Sequence, residues 1–256
     1  MQFLSNNRSR TKSRRAGYLH AVLNVVLPLG VLLFVRAKLP YLAVALILLA
    51  KWRVFAVQPR YWLANIRSNS VDTIVGLSFV VLVHSTPRLS IQIAFILAFA
   101  AWLVLIKPRS DVIWVSAQAL IAQTLGIIAI QDYMANRGQQ TWPEFVTIVL
   151  ISVVALAAAR HFLSSYEDRY LSVLSFSWAF FITELTWLLD HWIVFYVRYV
   201  SHIALLATFL AYTAMRLYDK THNDNLTRRE IRTLTVLSCV ILLVVVLLSN
   251  WRRSLY

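Results

Sequence analysis

Residues 182–202 read ITELTWLLDHWIVFYVRYVSH and set Glu184, Asp190, His191, Arg198 and His202 inside a strongly apolar stretch. A carboxylate, a guanidinium and imidazoles in that order can hold a charged solute, pass a proton or neutralise one another. Glu184 and Arg198 are equidistant from His191, so a helical hairpin turning there would bring them together at one depth. Pairing is the least costly state for two such groups in hydrocarbon. His202 follows Arg198 by one turn on the same helix face. The stretch therefore predicts a polar intramembrane site built from Glu184, Arg198 and His202. Gln118 and Gln123 would join it if the helix that carries them is adjacent.

A second candidate lies at the outer surface. Asp190 and His191 fall in the predicted turn, and His84 ends another apolar run on the same side. These three would suit an enzyme acting on a lipid-linked substrate. Metal chemistry finds less support: there is no HExxH helix, and of the six histidines only His84 and His191 share a level. No lysine lies deep in the later helices to form a Schiff base, and five glycines form no phosphate-binding loop. No metal and no cofactor are expected. Asn24, Ser78, Gln92, Ser116 and Thr124 read as hydrogen-bonding contacts between helices.

The elements that must position these groups are set by composition. The chain is 59% hydrophobic and 14% charged, with a mean hydropathy of +0.66. Soluble domains average about 25% charged residues. One soluble core cannot hide this many apolar runs, because interior volume grows too slowly relative to surface. Nine runs approach the roughly 20 residues that cross a bilayer. They are 17–35, 39–57, 71–86, 89–106, 112–130, 144–163, 171–189, 193–217 and 233–250. They are apolar on every face, which predicts an all-α polytopic helix bundle rather than a strand barrel. Thr227 with Glu230 reads as a capping box opening the ninth run, Thr141 with Glu144 brackets the sixth, and Ser110 precedes the fifth. Gly76 and Gly126 would let helices approach closely.

Charge supplies the orientation. With the N-terminus in the cytoplasm and nine crossings, seven of the 25 Lys and Arg lie outside: Arg36, Lys38, Arg88, Arg137, Arg198, Arg252 and Arg253. The remaining eighteen lie inside, as the bias of cytoplasmic loops toward basic residues requires. The C-terminus then falls outside. Eight of the nine Trp sit at run ends, where indoles favour the headgroup level, and Trp178 alone lies mid-membrane. Residues 1–16 form a basic cytoplasmic arm, 17–250 one transmembrane domain and 251–256 a short tail. Residues 58–70 read as a short helix lying in the interface.

The net charge of +14 comes from basic clusters between apolar runs. It points to anionic phospholipids at the inner face and not to nucleic acid. Three functions follow as expectations. The first is a transporter or permease in a cytoplasmic membrane, using the Glu184 site. The second is a non-catalytic anchoring or assembly subunit with a protein partner or a second copy. The third is the lipid-directed enzyme at Asp190, His191 and His84.

Overall fold

A computed structural model describes residues 23–52, 58–137, 143–166, 168–192, 196–197 and 200–248. The described residues are almost entirely helical. In chain order they form α1 (Leu23–Arg36), α2 (Pro40–Leu49), α3 (Trp62–Ser85), α4 (Leu89–Ala101) and α5 (Val112–Arg137). These are followed by α6 (Glu144–Leu163), α7 (Leu171–Trp192), α8 (His202–His222) and α9 (Arg228–Leu248). Five segments are long and apolar enough to cross a bilayer: Pro59–Ser85, Leu89–Ile106, Val112–Met134, Glu144–Leu163 and Leu171–Asp190. Of the nine crossings expected, five have such a helix among the described residues, and α1 and α2 are shorter apolar helices.

Two boundaries differ from the sequence reading. Within the run expected over 193–217, the described helix begins at His202. Before it, Tyr196–Val197 and Val200–Ser201 (β1 and β2) pair antiparallel, as β-branched and aromatic residues favour. The separate interfacial helix expected over 58–70 is also absent: a single turn at Pro59–Tyr61 leads into α3, which continues unbroken through this stretch. No Gly or Pro interrupts it before Gly76. Its polar residues fold back onto their own helix instead of leaving it. Ser68 Oγ and Asn69 Nδ2 donate to the Asn65 carbonyl at 3.0 and 2.9 Å, and Thr73 Oγ1 donates to that of Asn69 at 2.9 Å.

Helix α5 is the centre of the bundle and packs against α3, α6 and α8. One apolar cluster gathers Val31, Ala43, Ile47, Val75, Phe79 and Phe99 from α1 to α4. A second joins Ile127, Ile151, Ala155, Ile182 and Ala204 from α5 to α8. Close approach depends on glycine where the sequence placed it. A Cβ on Gly126 would stand 2.6 Å from Val154 Cγ1, and one on Gly76 would stand 3.0 Å from Ile47 Cγ2. The capping box forms as well: Glu230 N donates to Thr227 Oγ1 at 3.3 Å, and Thr227 N donates to Glu230 Oε2 at the same distance.

Candidate functional site

The densest group of buried charge lies where α2 and α4 end, around a residue of α3. Asp72 is buried, and its Oδ2 contacts Lys51 and lies 2.7 Å from Lys107 Nζ. Its Oδ1 accepts a hydrogen bond from Trp102 Nε1 at 2.9 Å. Local structure brings these groups together. From Trp102 to Ile106 the helix widens into a π-turn, with Lys107 N donating to the Trp102 carbonyl at 2.9 Å. The wider turn returns residue i+5 close to residue i, so Trp102 and Lys107 reach the same carboxylate. Burial and the neighbouring Lys107 ammonium push Lys51 down to about 7, and burial lowers Lys107.

Gln118 holds the turn that carries Lys107. Its Nε2 donates to the carbonyls of Ile106 and Arg109, each at 2.8 Å, and its Oε1 lies 2.8 Å from His161 Nε2. One amide thus ties the end of α4, the start of α5 and the end of α6. Gln123 belongs to a different network. It is fully buried, donates from Nε2 to the Ala207 carbonyl at 3.1 Å and accepts from Trp178 Nε1 at 3.0 Å. One residue on, the hydroxyls of Thr124 and Thr208 meet at 2.6 Å. These bonds join α5, α7 and α8 across the middle of the bundle. The two glutamines therefore do not form one site.

The structure describes the other expected residues only in part. Glu184 is exposed on α7, and among the described residues it has no hydrogen-bond or ion-pair partner. Arg198 lies outside the described residues. His202 opens α8, and His191 lies near the end of α7. His84 is exposed near the end of α3. Asp190 lines a cavity of about 60 Å³ with Gln131, Glu144, Thr147, Thr183, Thr186 and Trp187. In its wall Trp187 Nε1 donates to Glu144 Oε1. Among the described residues, no group of three or more His, Cys, Asp or Glu is placed to hold a metal ion.

A fourth polar group closes the end of the bundle where α6 turns into α7. Tyr166 donates to Asp219 Oδ1 at 2.9 Å, and Tyr218 donates to Asp168 Oδ2. The two phenol rings meet edge to face at 5.1 Å, and His222 stacks on Tyr218 at 5.8 Å. The Tyr218 hydroxyl holds the Asp168 carboxyl below its usual range, and burial raises the Tyr166 phenol. Every polar atom named in this group has a neighbour within it, which is the pattern of a structural clasp.

The sequence reading missed the Asp72 group. Its signal was available: Asp72 and Lys107 each mark an end of an apolar run on the side assigned to the inner face, and Lys51 interrupts the run 39–57 toward that side. Trp102, expected among the interfacial indoles, is buried because its N–H is committed to Asp72. Compared with known proteins, the chain matches no family model, no curated protein and no solved structure.

Proposed function

We propose that this chain is a non-catalytic assembly subunit of a cytoplasmic membrane, with its N-terminus inside and its runs crossing nine times. The observation that carries the reading is the position of Glu184. It projects from an exposed face of α7 that also bears Val173, Phe176, Phe180, Phe181 and Leu188. It lies six residues inside the end of the Leu171–Asp190 span, about 9 Å at the helical rise. A lone carboxylate among lipid tails is costly, and a cationic side chain on a neighbouring helix removes most of that cost. The occupant proposed is a spanning helix of a partner protein, with Lys or Arg at the depth of Glu184. The buried glutamines support the same reading, because their hydrogen bonds are spent on holding this bundle together.

Photocrosslinking in native membranes tests the idea. A photoreactive residue replacing Phe180 should give one discrete adduct with a second protein, and Glu184→Gln should reduce it severalfold. Arg198→Ala should leave it intact. Loss of the adduct in Arg198→Ala, an adduct of twice the chain mass, or lipid adducts alone would each overturn the reading.

A permease is the second reading, and the cavity beside Asp190 favours it. Its wall is mostly apolar, with Ile148, Ile151 and Trp187, but Gln131, Glu144, Asp190 and three threonines set polar and acidic groups within it, as binding of a small cation or polar solute would require. Uptake into vesicles that falls in Asp190→Asn and Glu144→Gln alike would support it. Unchanged uptake in both would remove it.

A further inference from the structure

With Lys51 protonated, the group around Asp72 carries one more positive charge than it can neutralise. Two ammonium groups face a single carboxylate, and Trp102 already occupies the second oxygen of that carboxylate. Each ammonium has three donors. Among the described residues, Asp72 is the one carboxylate that either lysine reaches, and the two lysine side chains also lie within hydrogen-bonding reach of each other. The Lys51 side chain is 14% exposed and that of Lys107 is 34% exposed, so the surplus opens to the surface through Lys107.

Depth identifies what can meet that surplus. Lys51 precedes the exposed Trp52, and Lys107 follows the last residue of the Leu89–Ile106 span. On the neighbouring start of α5, the Arg109 guanidinium lies over the Trp114 ring at 5.6 Å. Indoles at helix ends mark the headgroup level, and basic pockets between helices at that level take anionic head groups. The pocket is also held in place in advance: Gln118 fixes the 106–109 turn, and the π-turn directs Lys107 toward Asp72. Preorganised donors lose less freedom on binding.

We propose that Lys51 and Lys107, held by Asp72, form a binding site for a phosphate group, supplied by an anionic phospholipid of the surrounding leaflet. The phosphodiester takes the free ammonium donors and cancels the surplus charge. Asp72 acts as the positioning residue, because it keeps the two like charges together when no ligand is bound. This site is separate from the α7 face and does not depend on the assembly reading.

Native mass spectrometry of the full chain in detergent provides the test, with phosphatidylglycerol, phosphatidylcholine and inorganic phosphate as separate probes. Phosphatidylglycerol should remain bound at collision energies that strip phosphatidylcholine. Lys107→Gln removes the surplus charge but leaves a neutral Lys51–Asp72 pair, and it should lower retained phosphatidylglycerol about tenfold. Lys107→Arg should preserve it, and Arg109→Gln should reduce it less than twofold. Equal retention of the two lipids by the wild-type chain would overturn the proposal even if no variant folds. An equal loss in Arg109→Gln would reduce the effect to general surface charge and overturn it too. Displacement of the lipid by millimolar inorganic phosphate would overturn the assignment to lipid and make the ligand a free oxyanion.

Discussion

The indole N–H of Trp102 donates to Asp72 Oδ1 at 2.9 Å, and the two residues are equidistant from Pro87 in the turn between α3 and α4. The hairpin therefore closes at its far end on a polar contact rather than an apolar one. Three elements depend on that carboxylate: α3 carries it, the π-turn of α4 presents Trp102 and Lys107, and the residue two positions beyond α2 is Lys51. Removing it should be far more damaging than removing any one partner. Asp72→Ala leaves two ammonium groups uncompensated, which should cost about 3–5 kcal/mol, the range for breaking a buried ion pair. Trp102→Phe removes one hydrogen bond to a charged group and should cost about 1.5–3 kcal/mol. Unfolding in mixed micelles of detergent and SDS would measure both. Equal losses would show that the charge cluster is not what holds the α3–α4 hairpin.

Gln123 should behave differently because its partners are neutral. Gln123→Leu abandons the Trp178 indole and the Ala207 carbonyl in the middle of the bundle. Hydrogen bonds between membrane helices average about 0.6 kcal/mol, so the loss should stay near 1–2 kcal/mol. Trp178→Phe alone should cost less. The same unfolding assay, with tryptophan emission recorded for the wild type and Trp178→Phe, would check the order. A loss above that of Asp72→Ala would make Gln123 more than a link between helices.

Close packing at Gly126 gives a prediction with its own rescue. An alanine there would place its methyl 2.6 Å from Val154 Cγ1 and 3.2 Å from Ile74 Cγ2. Overpacking of this kind costs about 1–3 kcal/mol. Val154→Ala removes the nearer obstacle, so Gly126→Ala/Val154→Ala should recover most of the stability lost by Gly126→Ala. Strict additivity of the two single losses would show that α5 and α6 do not meet there as described.

How much of this was legible in the sequence follows from how far each feature depends on chain distance. Five apolar runs between 59 and 190 became long helices, because length and composition are local properties. The Thr227–Glu230 box also formed, since its partners are three residues apart. The Asp72 cluster spans 51 to 107 in the chain. Read one at a time, its lysines are ordinary loop charges and its aspartate is the edge of an apolar run. Depth alone aligns them, and only a comparison of run ends on one side of the membrane would have paired them. Glu184 illustrates the converse. Its depth could be read from the chain, but the rotation of α7 could not, and α7 turns Glu184 to the outside of the bundle. A run apolar on every face contains no signal for that rotation.

Proton binding at Lys51 links stability and ligand affinity with opposite signs. Its folded value is lowered from 10.5 to about 7 by burial and by Lys107, with Asp72 as the opposing charge. Between those values the unfolded chain holds a proton that the folded site has released. Stability therefore rises with pH across that window and is lowest below it, where the folded site must also carry the charge. Anion binding needs the charge, so retention of phosphatidylglycerol should fall as pH is raised from 6 to 8.5. In Lys51→Met the site keeps one ammonium beside one carboxylate, and both trends should flatten. Melting curves and lipid retention measured on the same samples across that range would check the pair of slopes. A wild-type chain whose stability and lipid retention move in the same direction with pH would show that the two lysines do not share one carboxylate.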